Sequence, residues 1–375
     1  MKKTSRILHC MKILAAASLL TIAFAACKKE PPEMIVSLPG NYSQVNLVAN
    51  TAAYSAVRID TLLKDAWGLA FSPGGNPWIS SRVGSLSTVY NAEGAQARGP
   101  VYIPSPNGPF GGAFGGSPTG QVFNASTDFV LPNGTIARFI FVGIDGILSA
   151  WSSGNTAWRL KNNAATSAYT GLAIGASNGA NYLYAADFRA GKIEVWDKNF
   201  NTVNTMAFKD AGLPAGYAPF NIQAIADKLF VTYARVGPTG MDEAGVGNGY
   251  VSIFNTDGSF VRRLASKGSL NSPWGVAMAP PTFVDAATNV GGTVPMAILV
   301  GNFGDGKISA FSPAGDYLGQ LKVNGQLLKI DGLWAISFPP VSAINVNPGR
   351  LYFTAGPNKG ADGLFGYIIK TTPAM

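Results

Sequence analysis

The sequence predicts an all-β fold: a six-bladed β-propeller closed by an N-terminal strand that pairs with the C-terminal blade. Three observations carry this prediction. A short apolar motif recurs about every fifty residues. The runs after each recurrence have strand chemistry and no helical period. The last repeat is one strand short, and a lone strand stands at the other end of the chain. A period of about fifty residues built from short strands is the signature of a propeller rather than of a helical solenoid.

The motif is clearest at Trp274-Gly-Val-Ala-Met-Ala-Pro280. It recurs as Trp67-Gly-Leu-Ala-Phe-Ser-Pro73, Thr170-Gly-Leu-Ala-Ile174, Phe220-Asn-Ile-Gln-Ala-Ile225 and Trp334-Ala-Ile-Ser-Phe338, and in weaker form at Thr119-Gly-Gln-Val-Phe123. The starts at 67, 119, 170, 220, 274 and 334 lie 52, 51, 50, 54 and 60 residues apart. Each is read as the inner strand of a blade.

Second strands are expected at Trp78-Ile-Ser80, Arg138-Phe-Ile-Phe-Val142, Tyr182-Leu-Tyr-Ala185, Leu229-Phe-Val-Thr-Tyr233, Ala297-Ile-Leu-Val-Gly-Asn302 and Leu351-Tyr-Phe-Thr354. Third strands follow at Ser87-Thr-Val-Tyr90, Ile147-Leu-Ser-Ala-Trp151, Lys192-Ile-Glu-Val-Trp196, Tyr250-Val-Ser-Ile-Phe254, Lys307-Ile-Ser-Ala-Phe311 and Leu364-Phe-Gly-Tyr-Ile368. β-Branched and aromatic residues alternate there with small or polar ones, as in sheets packed on neighbouring sheets. Outer strands are expected at Val101–Ile103, Trp158–Leu160, Thr202–Asn204, Phe260–Leu264 and Tyr317–Leu321. The last repeat lacks one, and Gln44-Val-Asn-Leu-Val48 supplies it, so that pairing the two ends leaves no open sheet edge.

Asp145-Gly146, Ala190-Gly191, Asp305-Gly306 and Asp362-Gly363 stand just before third strands, where tight hairpins need positive φ. Two insertions, Pro104–Pro118 and Val236–Gly249, are expected as loops on the rim or a face of the ring.

Residues 1–26 read as a cleaved leader: Lys2, Lys3, Arg6 and Lys12 precede an apolar run, which ends at Phe24-Ala-Ala-Cys27. The pattern resembles a bacterial lipoprotein signal, which implies lipidation of Cys27 and a membrane tether that does not span the bilayer. Lys28 to residue 41 is charged and Pro-rich at its start and reads as a tether, followed by the propeller at 42–370 and a tail at 371–375. The place implied is the bacterial cell envelope, at the outer membrane or cell surface.

The leader holds four basic and no acidic residues, so the 28 basic residues of the full chain fall to 24 against 20 acidic ones. The net charge drops from +8 to +4, with no basic cluster, which gives no case for nucleic-acid binding. The leader also holds His9, the single histidine, and Cys10, leaving Cys27 as the single cysteine. A mature chain of this composition has no means to run a Ser-His-Asp triad, a Cys-His pair or a His/Cys zinc site. Gly175-Ala-Ser-Asn-Gly179 therefore reads as a turn and not a nucleophile elbow. Gly301-Asn-Phe-Gly-Asp-Gly-Lys307 reads as a hairpin, because Ile308 stands where a phosphate loop needs Ser or Thr.

The face carrying the turns between second and third strands gathers Arg82, Asp145, Asp187, Arg189, Arg235, Asn302, Asp305, Asn358 and Asp362. Asp65, Asn221, Asn271 and Asp331 stand beside the inner strands. Two readings are open for this ligand-face set. Oxygen ligands, above all Asp187, Asn302 and Asp305, converge on the axis and hold Ca2+; alternatively these residues cap turns and pair with Arg82, Arg189 and Arg235. Trp67, Trp274, Trp334 and Phe220 likewise either line an aromatic mouth for a small molecule or glycan, or pack between blades.

Tyr182-Leu-Tyr-Ala-Ala-Asp-Phe-Arg189, Leu299-Val-Gly-Asn-Phe-Gly-Asp-Gly306, Leu351-Tyr-Phe-Thr-Ala-Gly-Pro357 and the motifs at Trp67 and Phe220 resemble an uncharacterised family of exported bacterial propellers. That family is related to NHL-repeat and gluconolactonase-like rings. The resemblance implies a six-bladed ring and transfers no activity. Gluconolactonase-like enzymes hold a divalent metal on Glu, Asn and Asp, and no Glu stands near the first inner strand here. The function expected is a membrane-tethered binding or scaffold module for a small molecule, glycan or envelope protein. The alternative is a divalent-metal-dependent hydrolase or lactonase using channel Asp and Asn residues; a quinone-dependent electron carrier is a third reading, with no site marked for it.

Overall fold

The computed structural model describes residues 36–38, 41–108, 115–286 and 296–371. The leader, Cys27, most of the tether, the centre of the first insertion and the last residues of the tail lie outside the described residues. Within them the chain is an all-β propeller.

Five blades are made of strands consecutive in sequence. The first runs through Ala66–Phe71, Pro77–Ser81, Leu86–Tyr90 and Gln96–Tyr102. The second uses Pro118–Phe123, Phe139–Gly143, Ile147–Trp151 and Trp158–Asn162. The third has Tyr169–Ser177, Ala180–Asp187 and Lys192–Asp197. The fourth has Tyr217–Ile225, Lys228–Arg235, Gly249–Asn255 and Phe260–Ser266. The fifth has Pro273–Ala279, Ala297–Asn302, Ile308–Phe311 and Tyr317–Gln320. Neighbouring strands within each blade are antiparallel.

The expectation of six blades is corrected to five, because the sheet that closes the ring is composite. Leu333–Ser337, Leu351–Ala355 and Leu364–Lys370 come from the C-terminal end, while Tyr42–Ala49 joins from the N-terminal end, in a seven-stranded sheet. Gln44 faces Ile368, Val45 faces Tyr367 and Val48 faces Phe365 in antiparallel register. Two short additions, Arg58–Ile59 and the hairpin Lys322–Val323 with Gln326–Leu327, pair alongside and widen this sheet. The third blade departs from expectation too: Thr202 makes only an isolated bridge to Trp196, so the strand expected at Thr202–Asn204 is absent. Leu364–Lys370 has a free edge that a long N-terminal strand can cover. The edge of Lys192–Asp197 meets a segment broken by Phe200 at φ +62° and Phe208 at φ +44°.

Apolar clusters fill each space between adjacent sheets. Leu172, Leu183 and Trp196 pack with Phe129 and Leu148 between the second and third blades. Phe353, Leu333 and Ile368 pack with Leu299, Phe283 and Tyr42 between the fifth blade and the closing sheet. Burying side chains on both faces of every sheet explains the mix of β-branched and aromatic residues, since each inter-sheet layer must interdigitate at interior density.

The strand directions define two faces. Links between blades and turns between second and third strands lie on the upper face. Turns between first and second, and between third and fourth, lie on the lower one.

Candidate functional site

The six inner strands all break register near their upper ends: at Ala66/Leu69, Pro118/Gly120, Tyr169/Gly171, Pro219/Asn221, Pro273/Val276 and Leu333/Ile336. A bulge turns the extra residue out of the ladder. In this chain the residues so placed include Trp67, Phe220, Trp274 and Trp334, which meet across the ring axis. Trp67 stacks on Trp334 with centroids 3.5 Å apart, and Phe303 stacks on the same indole at 3.9 Å. Trp274 meets Trp67 edge-on at 6.3 Å, and its Nε1 donates to the Thr170 carbonyl on the third blade at 2.9 Å.

These four aromatics are all buried, the most accessible of them at 4 %. These aromatics therefore form a plug on the axis. Below it, the space enclosed by Gly68, Gly120, Leu172, Asn221, Gly275 and Ile336 is about 10 Å3. A volume near that of a single water probe admits no organic ligand. Glycines make the closure possible. A Cβ on Gly120 would lie 2.5 Å from the Leu172 nitrogen, and one on Gly275 would lie 2.7 Å from the Trp334 oxygen. Asn221 takes the glycine position in the fourth blade and uses its amide to donate to the Trp274 carbonyl at 2.8 Å.

The polar residues expected on the upper face are on it, each engaged locally. Asp187 is fully buried, and its Oδ1 accepts from the Ala168 and Ala190 amides at 3.0 and 3.1 Å. Asn302 occupies the corresponding station two blades away: its Oδ1 accepts from the Asn271 amide at 3.1 Å, and its Nδ2 donates to the Ser269 carbonyl at 2.8 Å. Asp145 accepts from the Ser117 amide at 2.9 Å. In each case a side chain at or just past the end of the second strand pins the backbone that leads into the inner strand of the same blade. Burial raises the Asp145 carboxyl above the ordinary carboxylate range despite its amide bond, and burial does the same to Asp242 in the fourth-blade loop.

The arginines divide. Arg82 pairs with Asp65, and Arg235 pairs with Glu243 at 3.2 Å. Arg189 instead donates to the Ala164 and Ser167 carbonyls at 3.0 and 3.2 Å. Asn302 Nδ2 also reaches Asp305 at 3.2 Å, and Asp305 pairs with Lys307 at 3.2 Å. The Asn358 amide donates to Asp331, and its side chain donates to Asp362. Bonds from Tyr54 and Asn50 hold Asp362 below the usual carboxylate range. The structure thus brings Asn271, Asn302 and Asp305 together, and Asp331, Asn358 and Asp362 together. It leaves Asp187 two blades from Asn302 and Asp305. Among the described residues no group of three or more His, Cys, Asp and Glu side chains is placed to hold a metal ion.

Asp65 has a larger role than its sequence context suggests. It is buried, stands at φ +49°, accepts from Trp334 Nε1 at 3.0 Å and pairs with Arg82. It therefore ties the aromatic plug to the first blade. Asp65→Ala is expected to cost about 2 kcal/mol, mostly from the unsatisfied indole N–H, because the part-exposed Arg82 is screened. Asp65→Asn keeps an acceptor and tolerates the backbone, so urea unfolding should place it between wild type and Asp65→Ala. An Asp65→Ala midpoint equal to wild type would refute this role.

Sequence reasoning missed the residues just above the plug. After the second strand each sheet places an apolar residue: Val83, Ile144, Phe188, Val236, Phe303 and Pro357. Ile144, Phe188 and Phe303 pack on the plug. Val83 and Val236 are 49 % and 38 % exposed, and the fourth-blade loop adds Met241 at 47 % and Val246 at 81 %. The signal was available, since one apolar residue recurs at that station in every repeat, but it falls in turns where polarity is the usual expectation.

No family model matches the chain. It is 32% identical over 345 residues to uncharacterized protein R648 of Acanthamoeba polyphaga mimivirus, covering 87% of this chain and 80% of that protein. It is 31% identical over 351 residues to uncharacterized protein L690 of the same virus, covering 87% and 86%. Among solved structures, a streptogramin B lyase covers 87% of this chain and 97% of its own at 13% identity, with a TM-score of 0.46. A virginiamycin B lyase from Staphylococcus aureus covers 88% and 99% at 12% identity, with a TM-score of 0.45. Likeness at that level carries over no activity.

Proposed function

This chain belongs to the family of the mimivirus proteins R648 and L690, and from that premise we propose that it is a binding module, tethered to the cell envelope by lipid on Cys27, whose upper face takes a macromolecular partner. We count the composite closing sheet as its sixth blade. The observation that carries the proposal is the combination at the axis. The ring is plugged by Trp67, Trp274 and Trp334, yet above the plug the face exposes Val83, Val236, Met241 and Val246 beside Arg82, Arg189 and Arg235. A small molecule needs a concave pocket, and among the described residues the space on the axis is only about 10 Å3. A partner protein or glycan needs a broad surface with apolar patches and a polar rim, and this face supplies one.

The apolar leader ending in Phe24-Ala-Ala-Cys27 supports export and lipid attachment. Two measurements test the reading. A photo-crosslinking side chain placed at Val83 or Val246 in cells should give a discrete adduct, while one at Phe260 on the outer edge, 43 % exposed, should not. Equal adducts at all three sites would overturn the proposed face. Fatty-acid labelling should be lost in Cys27→Ala; labelling that persists would refute attachment there.

A further inference from the structure

We propose that the lower-face loop of the closing sheet rests on the lipid surface, inserting Val341 and Ile344 into the interface while the upper face points away. This inference rests on lipid attachment at Cys27. It adds an orientation and a second membrane contact that attachment alone does not require.

The chain enters the ring at the lower face. Val36 and Ser37 pair with Ala286 and Asp285 in the connection between the first and second strands of the fifth blade, which is a lower-face connection. Leu38 packs into the cluster between that blade and the closing sheet. Tyr42, at the start of the closing strand, packs in a tilted pair on Phe283 at 4.8 Å and donates to its carbonyl at 3.0 Å. Eight residues separate Cys27 from Val36, and a chain reaches at most about 3.5 Å per residue, so this rim lies within about 30 Å of the acyl chains.

An apolar loop stands beside that entry. Phe338, at the base of the loop from 338 to 350, meets Phe283 edge-on at 5.0 Å, so loop and entry share one apolar cluster. The far part of the loop turns outward. Val341 has a relative exposure of 104 % and Ile344 of 63 %, with Met296 of the fifth blade at 39 %. Their backbone is held: the Ile344 amide donates to the Pro73 carbonyl at 3.1 Å, and the Ala343 amide to the Pro340 carbonyl at 2.8 Å. A braced loop that presents two β-branched apolar side chains to solvent has an unmet hydrophobic face. The segment Phe338-Pro-Pro-Val-Ser-Ala-Ile-Asn-Val-Asn-Pro-Gly-Arg350 contains no acidic residue, so nothing in it repels an anionic headgroup.

The test uses the full chain, processed and acylated, in vesicles of phosphatidylethanolamine and phosphatidylglycerol. A polarity-sensitive fluorophore is attached at Ile344→Cys or, as control, at Val246→Cys; both sites are exposed, so each variant should retain the parent's melting transition. With brominated acyl chains in the bilayer, emission from position 344 should fall about twofold or more and shift to the blue, while emission from 246 should not change. Quenching at 246 and not at 344, or at neither in acylated vesicle-bound protein, would overturn the orientation. A blue shift at 344 without vesicles, accompanied by a doubled molecular mass, would assign the loop to a second copy and also overturn it. Absence of acyl mass on Cys27 would instead refute the anchor itself, and the orientation with it.

Discussion

Val48→Asp should abolish cooperative folding. Val48 has no exposed surface and lies in the cluster formed by the closing sheet and the first blade, with Leu47, Phe71, Tyr90, Tyr352 and Phe365. A carboxylate placed there has no partner, and an unpaired buried polar or charged group costs several kcal/mol, about 4 or more at a site this enclosed. That is a large part of the roughly 5–15 kcal/mol that holds a domain together. The position matters for a second reason. Val48 belongs to the single strand that joins the two ends of the chain, so its loss exposes the edge of Leu364–Lys370 and unzips the ring at its seam. Val48→Ala, which removes two methyl groups and leaves the strand paired, should cost only about 2 kcal/mol. Thermal and urea unfolding of the two variants should separate the effects: a broad, low-amplitude transition for Asp and a shifted but sharp one for Ala. A cooperative Val48→Asp transition within about 1 kcal/mol of wild type would contradict closure by this strand.

Gly120→Val carries the second large effect. A Cβ at residue 120 would meet the Leu172 nitrogen at 2.5 Å and the Gly171 carbonyl carbon at 2.7 Å. Both are backbone atoms of the next blade, so no rotamer change relieves the clash and the inner strands must part. Overpacking of this kind costs about 3 kcal/mol or more, and parting the strands also opens the small space beneath the tryptophan plug. Gly99→Val serves as control, since a Cβ there meets nothing within 4 Å. The Gly120 variant should lose roughly 6 °C or more in Tm while the Gly99 variant stays within about 2 °C. Equal values for the two would mean that the inner strands do not approach as described.

These two positions show how far the sequence reached. Strand identity was legible because each strand is buried on both faces, and the alternation of Val, Ile and aromatics with small residues records that burial directly. Closure through Gln44–Val48 was legible for a similar reason: a repeat short of one strand and a strand without a repeat fit each other. The composite character of the closing sheet was not legible, because Arg58–Ile59 and the Lys322–Leu327 hairpin are two-residue pairings whose stability comes from the neighbouring strand and leaves no pattern in their own residues. The missing outer strand of the third blade is the converse case. Thr202-Val-Asn204 has acceptable strand composition, but Phe200 and Phe208 in the left-handed region break the ladder on either side.

For the site, residue types were informative and their purpose was not. Asp187 and Asn302 stand at equivalent stations and Asp145 two residues beyond its own, which suits converging ligands and loop-pinning caps equally well from sequence. In the structure these side chains accept from the backbone amides of Ala168, Asn271 and Ser117. The tryptophans posed the same ambiguity. Their contact distances across the axis resolve it, because rings stacked at 3.5 Å leave no slot for another flat molecule. The apolar residues that follow each second strand were overlooked because they stand in turns, yet they give the upper face its character.

The central claim is that a strand from the N-terminal end locks the ring into one cooperative body with a plugged axis. Amide hydrogen exchange of the full chain, followed by mass spectrometry, tests it most directly. Peptides covering 42–49 should exchange as slowly as those covering the inner strands 118–123 and 333–337, and should become labelled together with them only by global unfolding. Rapid labelling of 42–49 while the inner strands stay protected would show that the ring holds together without its seam, and would contradict the account.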